Sequence, residues 1–241
     1  MRRFFAAIST SIVLISANTP VSAASLQVTP VSIEVPAPGA AATVTLNNPS
    51  DAPLKAQVRV FKWSLVNGEE HLEPTAEVVA SPPMATLQPK ADYTVRLVRL
   101  SKQPAAAEET YRLMVDEIPE DSKRTGIFIK MAFRYSIPVF FTPAAKTEAA
   151  LSWSVERRDG KLHVSATNTG NRRVRLAGLK ISDGNGKSAV IANGLAGYVL
   201  ARSSKSWVAP DAVISAGTPL LVEASGDQGP INAQAILKDD H

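Results

Sequence analysis

Residues 127–137 read Ile127-Phe-Ile-Lys-Met-Ala-Phe-Arg-Tyr-Ser-Ile137. The large apolar side chains Ile127, Ile129, Met131, Phe133, Tyr135 and Ile137 fall on odd positions, while Lys130, Arg134 and Ser136 fall on even ones. Successive side chains of an extended chain point to opposite faces, so this is the period of a strand with one apolar side. The run continues through Phe140 and Phe141. Two readings are open: a strand that packs its odd face into its own sandwich, or an uncovered edge that offers the row to another protein. An uncovered strand of this length is an aggregation hazard and needs a purpose.

Working outward, the chain keeps the same character. Ser25 to Val35 alternates around Pro30, and Pro36-Ala-Pro-Gly39 is a turn. Ala42–Asn47 and Leu54–Val66 are further strands, the latter ending at Asn67-Gly68, a strong hairpin signal. Tyr93–Leu100 and Tyr111–Ile118 follow. After the small-residue stretch Pro143–Ala150 the pattern restarts with Leu151–Arg157, Leu162–Asn168 and Val174–Ile181, then Gly197–Leu200, Lys205–Val208, Leu220–Ala224 and Ile231–Leu237. Short strands separated by turns indicate an all-β protein of two sandwiches. The division is residues 24–145 and 146–241, preceded by a leader over 1–23. The leader has Arg2 and Arg3, an apolar stretch from Phe4 to Ile15, and small residues at Val21-Ser-Ala23, where cleavage is expected. Its apolar run is too short to span a bilayer.

Composition excludes much chemistry. The 241 residues contain no cysteine, so there is no disulfide and no thiolate site. His71, His163 and His241 are far apart and have no ligand spacing, so no metal and no cofactor are expected. The net charge of +4 includes the two leader arginines, and no basic patch interleaved with aromatics suggests nucleic acid. Gly186-Lys-Ser188 lacks the earlier glycine of a phosphate loop, which is Ile181 here. No Gly-x-Ser-x-Gly elbow is present, and the acids Asp116, Glu117, Glu120 and Asp121 crowd one strand end rather than flanking a cleft. The reading is not an enzyme. Trp63, Trp153 and Trp207 leave one alternative, a secreted β-sandwich carbohydrate-binding module.

The chain resembles the periplasmic pilus-assembly chaperones of the chaperone–usher pathway. The resemblance rests on Ser81-Pro-Pro83, Leu87-Gln-Pro89, Val95-Arg-Leu97, Tyr111 through Pro119, and the alternating strand leading to Phe140-Phe-Thr-Pro143. In the second half it rests on Asn168-Thr-Gly170 with Val174 and Leu176, Tyr198-Val-Leu200 and Gly226-Asp-Gln-Gly229. Arg59-Val-Phe-Lys-Trp63, Asn67-Gly68 and the Pro30 start look most like the archaic branch.

The resemblance implies two immunoglobulin-like domains set at an angle around a cleft. It implies a protein that captures, folds and caps pilus subunits by donating the odd face of 127–137, and delivers them to an outer-membrane usher. It also implies the periplasm of a Gram-negative bacterium, and it allows self-association of the free protein. In the best-known branch two cleft cations hold the subunit's C-terminal carboxylate; Pro30 and Pro138 stand at the matching positions and cannot do so. Arg112 is the first candidate for that anchor, since a guanidinium fork suits a carboxylate, with Lys130 and Arg134 behind it. Arg96, Glu108 and Asp227 match the family's interdomain charge network, with Glu109 as the alternative to Glu108 by a slip of one residue.

Overall fold

The computed structural model describes residues 26–119, 131–209, 214 and 219–239. The leader and its cleavage site, Ile127, Ile129, Lys130 and the acids Glu120 and Asp121 lie outside the described residues. The described chain is strand and turn. The first half holds β1 (Gln27–Thr29), β2 (Ile33–Pro36), β3 (Ala41–Asn47), β4 (Leu54–Val66), β5 (Glu69–Pro74), β6 (Val78–Ser81), β7 (Met84–Leu87), β8 (Asp92–Arg99), β9 (Glu109–Ile118) and β10 (Arg134–Thr142). The second half holds β11 (Leu151–Arg158), β12 (Lys161–Asn168), β13 (Val174–Asp183), β14 (Ser188–Val190), β15 (Leu195–Val199), β16 (Ser203–Ala209), β17 (Pro219–Gly226) and β18 (Gly229–Asp239).

In the first half, the sheet β1-β3-β8-β6 faces the sheet β2-β10-β9-β4-β5, with β7 added beside β4. The first strand expected from the sequence is split in two. β1 pairs with β3 in one sheet, and beyond Pro30 β2 pairs with β10 in the other. Alternation supplies the core: Val44 and Leu46 of β3, Val95 and Leu97 of β8, and Tyr111, Leu113 and Val115 of β9 are all buried between the sheets. A separate core fills the second half around Val155, Val164, Leu176, Ile181, Leu220 and Val222. Two turns of Asn-Gly and Asp-Gly type close hairpins. Asn67 and Gly68 have φ of 52° and 83° between β4 and β5, and Asp159 and Gly160 have φ of 49° and 69° between β11 and β12. Positive φ at both central residues is the primed turn that matches strand twist.

The two halves meet through a small aromatic core of Trp63, Phe140, Tyr198 and Leu200. Trp63 meets Tyr198 edge-on at 5.5 Å. Beside this core Arg173 lies 3.5 Å over the Phe140 ring and pairs with Glu108 at 2.5 Å and Glu34 at 2.6 Å. The Glu108 side chain is 0% exposed and that of Arg173 7%. The expected network of Arg96, Glu108 and Asp227 is therefore corrected: Glu108 is at the interface, but its partner is Arg173. Arg96 has the opposite parity to Val95 and Leu97 and points away from the core, exposed, with no ion pair among the described residues. Arg99 shares the inward parity and grips Glu109 through two bonds of 2.7 Å. Neighbouring residues of a strand face opposite ways, so Glu108 turns to the second half and Glu109 to the first. Asp227 accepts a bond from the Arg175 backbone N–H at 3.2 Å instead.

Asp116 ties three strands of one sheet together. It bonds Arg59 of β4 at 2.6 Å and Arg134 of β10. Burial by itself would raise its carboxyl, but the guanidiniums of Arg134 and Arg59 outweigh burial and hold it below its ordinary value. The Asp116 contribution to stability is thus complete above the unfolded value near pH 4 and is lost as pH falls through the lower folded value.

Three outcomes are expected. Gly68 has positive φ, and a Cβ there would sit 2.5 Å from the Ser206 hydroxyl, whereas one on Gly184 would meet nothing. Gly68→Ala should cost about 1–2 kcal/mol in urea unfolding, and Gly184→Ala should stay within about 0.5 kcal/mol. Glu108→Ala removes the fully buried one of the two carboxylates that hold the Arg173 guanidinium and should cost about 3 kcal/mol by the same measurement. Asp116→Asn should flatten the acid limb of the stability–pH curve; an unchanged limb would show that Asp116 does not carry it.

Candidate functional site

The strand that decided the fold has two different halves. In β10, Ile137, Val139 and Phe141 enter the first core and Phe140 enters the interdomain core. Tyr135 packs against the first core and donates its hydroxyl to the Leu26 carbonyl. Phe133 is half-buried just before the strand, and Met131 is 69% exposed. The odd row expected to face a partner is thus divided. Ile137, 2% exposed, is removed from any offered surface, because the facing sheet still covers the strand at that point. Met131 and Phe133 lie beyond that cover.

The backbone of β10 is equally divided. On one side it pairs with β9 from Arg134 to Phe141. On the other side β2 covers only Val139 to Thr142. The Phe133 carbonyl accepts from the Glu117 N–H, so odd residues turn their polar groups to β9. Thr142 accepts from Ala37 on the opposite side. Alternation in an antiparallel ladder then points the N–H and C=O of Arg134 and Ser136 outward, where no strand among the described residues meets them. Pro138 has no N–H, and the parallel register that gives the Thr142 carbonyl to Ala37 gives the Pro138 carbonyl to Ile33 of β2.

This open edge runs into a cleft of about 640 Å³ between the two halves. The first half lines it with Ser32, Glu34, Arg112, Ser136 and Pro138. The second half adds Arg172, Arg173, Arg175, Tyr198 and Asp227. Val31, Ser32 and Glu34, not Pro30, are the residues of this segment on the cleft wall.

The anchor candidates separate clearly. Arg112 does reach the cleft, but its guanidinium lies 3.7 Å over the Trp63 ring and pairs with Glu70 at 3.1 Å. Arg134 is bound to Asp116 on the sheet face, its side chain 64% exposed. Lys130 is outside the described residues. The sequence reading missed Arg172, Arg173 and Arg175. The signal was the basic run Asn171-Arg-Arg-Val-Arg175, placed directly after Asn168-Thr-Gly170. Asn168 is buried, and its amide donates to the carbonyls of Arg172, Val199 and Leu200 while its oxygen accepts from Gly170. That holds the arginine segment against the second sandwich. Asn48 makes the matching set of bonds, to Ala52, Leu87 and Gln88, in the first.

The tryptophans do not form a sugar platform. Trp63 is 1% exposed, and Trp153 and Trp207 stack on each other at 6.1 Å against the second core.

Comparison with curated proteins by sequence finds no match. Among solved structures, the chain is similar to a chain of the Acinetobacter baumannii CsuC–CsuE chaperone–tip adhesion subunit pre-assembly complex from archaic chaperone–usher Csu pili. The identity is 24% and the TM-score 0.67, over 90% of this chain and 100% of that one. A chain of the Salmonella enterica complex of SafA pilin with the SafB chaperone matches at 18% identity and TM-score 0.60, over 87% and 96%. The Escherichia coli chaperone DraB matches at 17% and 0.56, over 87% and 96%. At these identities the likeness is one of fold: two immunoglobulin-like sandwiches set at an angle around a cleft. The model of the pili and flagellar-assembly chaperone family, PapD N-terminal domain, matches residues 25–146. That match spans half of the sequence, and the chain therefore belongs to the family of pilus-assembly chaperones.

Proposed function

We propose that this chaperone captures a pilus subunit by adding a strand of its own fold to the subunit along the open edge of β10, holds it capped, and passes it to an outer-membrane usher. The observation that carries this reading is the outward N–H and C=O groups of Arg134 and Ser136, continuous with exposed Met131 and leading into a basic cleft. A subunit lacking a strand has unpaired backbone groups and an open apolar groove, both costly in water. Main-chain pairing answers the first need. Met131 and Phe133, with Ile127 and Ile129 upstream, answer the second, at roughly 1.5–3 kcal/mol per large side chain before ordering costs. No catalytic chemistry and no cofactor are needed.

The direction of the added strand follows from charge. β2 takes over the edge at Val139, parallel to β10. A strand added upstream and parallel to β10 would end at Pro138, with its C-terminal carboxylate in the cleft. An antiparallel one would put an ammonium there. Guanidiniums favour the first, and Arg112 from one sandwich and Arg172 from the other are proposed to receive the carboxylate. The proposal extends to the periplasm, to a leader cleaved after Ala23, and to domain limits at 24–145 and 146–241.

The test is periplasmic co-expression with the pilin-like subunit encoded beside this chain, followed by pull-down. Wild type should recover the subunit, and Phe133→Asp should recover at least about tenfold less, with the subunit degraded. Equal recovery by both would overturn strand donation.

A further inference from the structure

Three of the four cleft arginines already hold a carboxylate of the chain itself. Glu34 sits between Arg172, at 3.2 Å, and Arg173, at 2.6 Å. Glu70, carried in by the β4–β5 hairpin, pairs with Arg112 at 3.1 Å and reaches Lys205 at 3.7 Å. The fourth, Arg175, forms no ion pair among the described residues. These two glutamates differ in kind from Glu108. Glu108 is sealed in the interface, whereas the side chains of Glu34 and Glu70 are 38% and 37% exposed.

We propose that the cleft is a carboxylate-exchange site: Glu34 and Glu70 occupy its guanidiniums while no partner is bound, and the terminal carboxylate of an added strand displaces one of them. The proposal rests on the reading of the cleft given above and adds how the site is kept when empty. The physical case has three parts. Arg172 and Arg112 each hold their glutamate through one terminal nitrogen, and a second carboxylate brought to that nitrogen is repelled. The glutamate of each pair is more than a third exposed, so water screens the pair from that side and the exchange is close to balanced. Glu34 also has somewhere to go. Arg173 bonds it through a separate nitrogen from the one that holds Glu108, so Glu34 can leave Arg172 and stay on Arg173 without opening the interface.

The arrangement makes the site selective. At Arg112 and Arg172 a free anion, or an acidic side chain of an unrelated protein, must displace a resident glutamate with nothing to offset the loss. A carboxylate at the end of a strand paired along Arg134 and Ser136 brings backbone hydrogen bonds and apolar contacts with it. The resident glutamates also hold Arg112 and Arg172 in place in the empty cleft, so less side-chain freedom is lost at capture.

The test uses the full mature chain and a fluorescein-labelled octapeptide that alternates leucine and threonine, made with a free C-terminal carboxylate and as the C-terminal amide. Dissociation constants come from fluorescence anisotropy at physiological salt, for wild type, Glu34→Gln, Glu70→Gln and the double variant. Wild type should prefer the carboxylate form. At least one single variant should widen that preference by about three- to fivefold, while its affinity for the amide stays within error. A wild-type preference that no variant widens would overturn the exchange and leave the cleft reading standing. Parallel changes for acid and amide in the variants would overturn it too, since they mean that the glutamates only position the domains. No preference for the carboxylate in any protein would remove the cleft reading itself, and the exchange with it.

Discussion

The buried guanidinium of Arg173 is the constraint on which the cleft depends. It lies on the Phe140 ring and holds Glu108 and Glu34, so one side chain of the second sandwich is tied to three elements of the first. Charges this far from water are tolerated only when paired and hydrogen-bonded, and breaking such a pair is expensive. The pairing therefore acts less as a source of stability than as a definition of geometry. Together with Trp63, Tyr198 and Leu200 it permits few ways for the two sandwiches to meet. The cleft walls, and the place of Arg172 beside the end of β10, are set by that choice.

β10 shows how one strand serves two purposes. Its C-terminal part is covered on both sides and faces: β9 and β2 pair with its backbone, one core takes Val139 and Phe141, and another takes Phe140. Its N-terminal part keeps β9 but has no second neighbour among the described residues. The change falls where β2 begins, at Ile33 opposite Val139, and Pro138 withdraws an N–H from the ladder. A strand wholly in the core could bind nothing, and one wholly outside would have nothing to hold it in register. Arg134 bound to Asp116 keeps the outer part attached to the sheet it extends.

The site was only partly legible in the sequence, and particular residues show why. The odd–even alternation of 127–137 announced a strand with one apolar face, but it could not say which odd residues the facing sheet would cover. Ile137 and Met131 have the same parity and opposite fates. Arg96 was placed in the interdomain network by resemblance, whereas the ion pair on its strand belongs to Arg99, which holds Glu109 within the first half. β5 escaped notice because all its side chains are exposed, so Glu69–Pro74 has no apolar period to detect. Yet β5 brings Glu70 to Arg112. Glu34, Arg112, Arg172 and Arg173 are scattered along the chain, and nothing local in the sequence joins them.

The sequence by itself determined the all-β class, the hairpin at Asn67-Gly68, the restart of strand patterning after Ala150 and the family, because these depend on periods and turns read over a few residues. Tertiary structure alone decided where the edge of β10 opens, which glutamate meets which arginine, and what lies in the cleft. Those outcomes depend on how far one strand overlaps another and on the angle between two sandwiches, and both are set by contacts between residues distant in the chain.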